Sequence, residues 1–353
     1  MREKDEEFSK TLNQRVNHYF KTENRTKHAN LEMVIKTIMM YSLFLVPYFF
    51  IYAVSNPYLA ISLYALMGVG MAGLGLSVMH DANHGSYSNK KWINRLLGYT
   101  LNVIGGNATN WKIQHNVFHH TYTNIDSHDE DVRPRFIMRF SPHAKRQWFH
   151  RFQYIYAWIL YGFMTVSWIL FKDVVQLMSY QKTGILKKHA DTRSAWMWLI
   201  CTKSIYYTYI VVIPWVFTPL VFWQALLGFF AMHYVAGFIL AIVFQPAHVM
   251  EMTEFPMANS NDHIEENWTV HQLKTTCNFA MKSKWLSWYV GGLNFQVEHH
   301  LFPHICHVHY PAISRIVQQT ASEYSIPYHS ISTFWGALVT HGRMLYKLGR
   351  PTV

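Results

Sequence analysis

Three short clusters carry the chemistry this sequence can do. The first is His80-Asp-Ala-Asn-His84, the second His115-Asn-Val-Phe-His119-His120, and the third Gln296-Val-Glu-His299-His300. On an α-helix, positions three or four apart share a face. His80 therefore converges with His84, and His115 with His119. His120 is turned by roughly 100°, toward a second, adjacent metal, and Gln296 stacks over His299 and His300. Neutral imidazole is the commonest metal ligand and suits iron and zinc. So many clustered imidazoles exceed the about four ligands of a tetrahedral zinc, and a dinuclear site follows. His248, in Gln245-Pro-Ala-His248, stands at the same helix-end height as His80 and reads as a further ligand. Metal-bound imidazoles need acceptors for their other N–H. Asp81, His271, Glu298 and His304 are candidates for that support, as is the acidic run Asp126–Asp131 around His128. His307 and His309 read the same way or as surface residues. His233 lies deep in an apolar run, where a hydrogen bond inside a bundle is expected.

The elements that must position these clusters are membrane spans. Half of the 353 residues are hydrophobic and only 14% are charged, against about 25% in soluble domains. That excludes a disordered chain. Thr37–Met79 contains no Asp, Glu, Lys, Arg or His, and Ser204–Met250 no Asp, Glu, Lys or Arg. A span needs about 20 apolar residues. Breaks at Ser55-Asn56-Pro57 and Thr218-Pro219 divide these runs into spans near 35–54, 57–79, 198–217 and 221–245, two hairpins with short turns. The net charge is +11. All Lys and Arg except Lys203 lie in 1–36, 80–195 and 246–353, which four crossings put on one side, the cytoplasmic one. A fifth uncharged run, 152–171, would break that rule by crossing. Its Tyr154, Tyr156, Trp158, Tyr161 and Trp168 suit the headgroup zone, so an interfacial or re-entrant segment is expected. The three cysteines, Cys201, Cys277 and Cys306, form no CxxC, which argues against a disulfide scaffold or zinc ribbon. The polar N-terminus has no apolar h-region, so no cleaved signal peptide is expected.

The expected fold is thus an all-α integral membrane protein. Four transmembrane helices in two hairpins carry a cytoplasmic helical cap that holds the dinuclear metal site. Residues 1–33 form a cytoplasmic N-terminal segment, 34–345 a single membrane domain and 346–353 a C-terminal tail.

HDANH, HNVFHH and QVEHHLFP resemble the three histidine boxes of the membrane fatty-acid desaturases. The stretch GGLNFQVEHHLFPHICHVHYPAI is similar to the third-box region of front-end acyl desaturases, in which glutamine replaces the first histidine of the box. The resemblance covers about residues 55 to 320. It implies a diiron centre that uses O2 as co-substrate to introduce a cis double bond into an acyl chain, in unsaturated fatty acid biosynthesis. His80, His84, His115, His119, His120, Gln296, His299 and His300 would be the ligands, and the metal centre itself the catalytic group. His248 corresponds to an additional histidine of related enzymes. The sequence contains no HPGG haem motif, so no haem and no flavin is expected. The electrons would come from a separate acidic carrier, ferredoxin or cytochrome b5, for which the basic face offers steering. The acyl substrate would be carried on CoA, acyl-carrier protein or a glycerolipid, and no nucleic-acid partner is expected. A bacterial plasma membrane fits better than the endoplasmic reticulum. Two other readings of the clusters remain at this point, a membrane diiron hydroxylase or ketolase acting on a lipid, and a metal-transporting or metal-sensing membrane protein. A transporter would place polar ligands near the bilayer midplane, where only His233 lies deep.

Overall fold

The computed structural model describes residues 2–126, 128–132, 136–259 and 264–351. The parts of the acidic run and of the C-terminal tail that fall on Ser127 and on 352–353 lie outside the described residues.

The fold is mostly helical, and four helices are long and apolar enough to cross a membrane. After an N-terminal helix α1 (Arg2–Thr22) come α2 (Leu31–Ile51) and α3 (Pro57–Asn83). Asn30 caps α2 by accepting from the Met33 N–H. Asn56 caps α3 by accepting from Tyr58 and Leu59, with Pro57 preset at the first helical position. The Ser55-Asn56-Pro57 break is therefore also a start signal. Helix α4 (Ala108–His119) begins as α-helix and passes at Lys112 into π-helical winding. Two helices, α5 (Trp148–Tyr161) and α6 (Met164–Lys182), meet at a 74° bend, and α7 (Thr192–Phe217) and α8 (Phe222–His248) follow. The later helices that bear on the site or the cap are α9 (Trp268–Thr275), α10 (Gln296–Leu301), α11 (Tyr310–Glu323) and α12 (Phe334–Leu348). Two two-residue strands, β1 (Asn278–Phe279) and β2 (Ser330–Ile331), pair in parallel.

Each span expected from composition is present, and the shifts at their ends matter. Helix α3 runs on to Asn83, so His80 sits within its last turn rather than in a loop. Helix α3 is the central span, with 61% of its apolar window buried, against 33% for α2 and 28% for α7. The outer spans expose Phe49, Phe50, Val216 and Phe217, as lipid-facing surfaces do.

Small residues let α3 sit between its neighbours, as in other membrane bundles. A Cβ on Gly70 would lie 2.6 Å from the Phe44 backbone nitrogen of α2, and one on Gly68 would strike the Met232 carbonyl oxygen of α8. Backbone cannot yield as a side-chain tip can. Gly68→Leu is therefore expected to destabilise the protein by about 1–3 kcal/mol or more through overpacking, read as a lower melting temperature in detergent. An unchanged melt would show that α3 and α8 can part at no cost.

The bend between α5 and α6 falls at Gly162-Phe163 and is pressed against α8. A Cβ at Gly162 would run into the Tyr234 ring, and one at Gly237 would lie 2.7 Å from the Gly162 carbonyl oxygen. His233 makes the expected internal bonds: Tyr206 Oη lies 2.6 Å from its Nε2 and Thr165 Oγ1 3.2 Å from its Nδ1.

Candidate metal centre

The last turn of α3, the end of α4, the end of α8 and α10 converge below the spans, and each delivers its histidines to one buried place. His80, His84, His115 and His299 offer ring nitrogens that all lie within 4.8 Å of one another, and so do His119, His248 and His300. His120 joins the two groups through His299 and His300. Its Nε2 lies 3.3 Å from His115 Nε2 and 3.1 Å from His299 Nε2.

Within the second cluster His115 and His119 share a group with Asp131, as α-helical spacing predicts, and their rings stack at 5.1 Å; His120 joins them by a different route. The π winding bonds the His120 N–H to the His115 carbonyl, five residues back, at 3.1 Å. His115 and His120 therefore meet at Nε2, while His119 turns toward His248 and His300. π-Helical turns often mark functional sites, and a second one, Leu74–Val78, precedes His80.

Most of these rings are buried. Burial first, and repulsion from neighbouring imidazoles second, push His115, His120, His299 and His300 well below the ordinary histidine range. They are neutral, the form that ligates metal. Burial opposes charge on His119 too, but Asp129 and Asp131 outweigh it and raise its pKa.

The surroundings leave metal-facing nitrogens free. His119 Nδ1 lies 3.0 Å from Asp129 Oδ2. A carboxylate can only accept, so Nδ1 donates and Nε2, buried and without a hydrogen-bond partner, is left bare. His300 Nδ1 lies 2.8 Å from Gln272 Oε1, and its Nε2 is likewise buried and unpartnered. Both ring nitrogens of His248 and both amide atoms of Gln296 are also buried without hydrogen bonds. Orphaned buried polar atoms are costly. So many in one place fit a metal-binding donor set, and two groups fit two ions.

The supporting residues are partly those expected. Asp129, in the acidic run, holds His119 and also accepts from the backbone of Asn124 and Asp131, each at 2.9 Å. Asp81 lies 3.9 Å from His80 Nδ1. His304 is exposed and packs on Phe302; the contact to Asp81 comes instead from His307 Nδ1, at 2.8 Å. Glu298 is buried, but accepts from Asn278 Nδ2 and Tyr328 Oη rather than from an imidazole. Burial pushes its carboxyl up to about 7. It anchors α10 to β1. His271, lowered to about 4 by burial, lies on α9 and joins none of the metal-competent groups among the described residues. Gln272 is the residue that sequence reasoning missed. It bonds His300, the Thr123 hydroxyl and the His120 carbonyl, and no local pattern announces a long-range contact of this kind.

Asp129→Asn keeps the shape but loses the obligate acceptor. It is expected to lower metal affinity or activity by about 10–100-fold, measured as metal retained after dialysis against a chelator. Undiminished retention would show that Asp129 does not orient His119.

An apolar cavity of about 330 Å³ adjoins the centre and is lined by His80 and His115 together with Gly75, Trp111, Leu240 and Phe244. Trp111 stacks on the His115 ring at 4.4 Å.

The family described as fatty acid desaturase matches residues 55–332. The chain is 35% identical over 97% of its length to an sn-1 linoleoyl-lipid 6-desaturase of Arthrospira platensis, and covers 92% of that protein. It is 34% identical over 98% of its length to an sn-1 linoleoyl-lipid 6-desaturase of Synechocystis, covering 96% of it. It is 33% identical over 98% of its length to an acyl-lipid (8-3)-desaturase of the moss Physcomitrium patens, covering 72% of it.

Proposed function

The chain belongs to the fatty acid desaturase family and is a membrane oxidoreductase of lipid metabolism, and on that premise we propose that it is an O2-dependent front-end desaturase acting on lipid-linked acyl chains through a diiron centre. His80, His84, His115, His119, His120, His248, His299 and His300 would hold the two ions, with Gln296 beside them. The observation that carries this reading is the pair of imidazole groups with bare ring nitrogens, two of whose histidines line a largely apolar cavity.

Bound iron would supply the O2-derived oxidant that an unactivated methylene C–H bond requires. The chain's own residues do the rest. The cavity wall takes the acyl chain, excludes water and fixes one carbon pair beside His80 and His115. Asp129 and Gln272 hold the Nδ1–H groups of His119 and His300, so the ligand rings keep one orientation. The electrons come from a separate, acidic carrier protein.

In the membrane, α2–α3 and α7–α8 form two hairpins, and the segments 80–195 and 246–353 form the cytoplasmic cap. Residues 34–345 make one membrane domain, with 1–33 and 346–353 as its flanks. The gathering of Lys and Arg outside the two apolar runs supports that sidedness. The 74° bend and the glycine contacts that seat it on α8 support a re-entrant, non-crossing α5–α6.

A Cβ on Gly75 would make only ordinary contact with Leu240, at 3.5 Å, so Gly75→Leu would extend into the cavity. Turnover of long acyl chains is expected to fall on the order of tenfold or more, with iron content unchanged. Wild-type turnover in that variant would remove the cavity from the substrate path.

Expression in a host of known lipid composition, followed by double-bond mapping, tests the activity. A new cis double bond on the carboxyl side of an existing one is expected. An alcohol without a new double bond would contradict it.

A further inference from the structure

Helix α6 closes one side of the acyl cavity. Its Ser167, Trp168 and Lys172 line that cavity together with Gln114, Glu130 and Asp131. Beyond this wall lies a second cavity of about 240 Å³, lined by Glu130, Ser167, Phe171, Lys172, Val175 and Gln176. The two cavities share Glu130, Ser167 and Lys172, so these three side chains form a neck between them. The outer cavity has an apolar, exposed rim: Phe171 and Val175 are more than half exposed, and Leu170, Val174 and Met178 are exposed beside them. The inner face of α6 is tied down. Gln176 Nε2 donates to Gln114 Oε1 at 2.8 Å and to Glu130 Oε2 at 2.6 Å, and Tyr180 Oη donates to Glu130 at 3.0 Å. Lys203 of α7 pairs with Asp173 at 2.6 Å. The polar end of the acyl cavity is also next to the histidine cluster. Gln114 precedes His115 in the chain, and Asp131 Oδ2 lies 4.0 Å from His115 Nδ1.

We propose that this neck is the lateral entrance for a membrane glycerolipid: the acyl chain passes from the bilayer by Ser167 into the cavity, and its ester stays at the neck, where the carbonyl accepts a hydrogen bond from Lys172. The inference rests on the desaturase reading above. An ammonium carries three N–H donors, enough to serve a protein acceptor and an ester together. Lys172 Nζ lies 4.5 Å from the Trp168 ring centroid, a cation–π contact that keeps it at the neck. The rim decides the occupant. An apolar, exposed wall on a helix of the membrane surface suits a chain that arrives from lipid, whereas the nucleotide of an acyl-CoA would approach from water. A polar neck beside His115 holds the ester close to the metal-competent groups, as a double bond near the carboxyl end requires.

The iron-loaded protein is placed in vesicles of dimyristoyl-phosphatidylcholine that contain phosphatidylcholine with di-unsaturated chains, or is given the matching acyl-CoA in detergent. It is reduced with dithionite and exposed to O2, and new double bonds are counted by mass spectrometry. The wild type is expected to desaturate the phospholipid. Ser167→Phe, which plugs the neck, is expected to lower that turnover about tenfold or more. Lys172→Met is expected to raise the half-saturating mole fraction of phospholipid about tenfold, with the yield at saturation retained. Iron content and melting temperature stay at the wild-type value in both, and Val174→Phe, on the exposed face beside the cleft, keeps wild-type turnover. Unaltered phospholipid turnover in Ser167→Phe would overturn the inference alone, and so would a wild type that desaturates the acyl-CoA but not the phospholipid. Should Ser167→Phe fail to fold, Lys172→Met decides, and an unchanged half-saturating fraction overturns the inference. A wild type that desaturates neither substrate would overturn the desaturase reading first and this inference with it.

Discussion

Replacing His300 or His119 by alanine is expected to abolish desaturation while the protein still inserts into the membrane. Both rings are fully buried and belong to the same group with His248. Each has its Nδ1 taken, by Gln272 and Asp129 respectively, and its Nε2 bare. Alanine removes the ligating ring nitrogen and the hydrogen bond that orients it. Loss of an outer partner alone costs about 10–100-fold, so loss of the ligand itself should cost more than about a hundredfold. Lipid analysis measures the activity and membrane fractionation the insertion. Full activity in either variant would refute the ligand assignment. Loss of insertion would instead assign the ring to folding.

Lys36→Met is expected to cost the fold more than any surface change. Lys36 lies in the first span and is 1% exposed. Its Nζ is 2.6 Å from His307 Nε2, and His307 in turn reaches Asp81 Oδ2 with its ring Nδ1 at 2.8 Å and its backbone N–H at 3.2 Å. Asp81, Cys306 and His307 are also close enough together to hold a metal ion, and the Lys36 amine lies against the far side of the His307 ring. The chain ties α2, the first box and the segment after the third box together. Removing one partner of a buried charge pair destabilises by about 3–5 kcal/mol. A clear drop in the melting temperature of the detergent-solubilised protein is the expected result, with partial recovery in Lys36→Met/Asp81→Asn. An unchanged melt in the single variant would show that the charges do not sense each other.

Much of this was legible before any coordinates. The charge-free runs located four spans to within a few residues, because hydropathy and helix-start signals such as Asn56-Pro57 act locally. The three clusters pointed to a metal site by residue type and number, and the structure brings their histidines together. The division of labour among the rings was not legible. Spacing paired His115 with His119, and the two rings do stack, but the π turn also brings His120 onto His115, and a π turn is chosen by packing rather than by local propensity. The supporting residues followed the same logic. Asp129 stood in a visible acidic run beside the box, so its role could be anticipated. Gln272 and Trp268 come from a helix about 150 residues away in sequence from the His120 carbonyl they bond, and His307 rather than His304 meets Asp81. Such contacts depend on tertiary packing that sequence spacing does not encode.

The most direct test of the central claim is elemental analysis of the purified wild-type protein together with its His300→Ala variant. About two iron ions per wild-type chain are expected from two imidazole groups of this size, with a clear loss in the variant. A wild-type chain that carries zinc alone, a single ion, or no metal while still desaturating lipid would contradict the diiron centre.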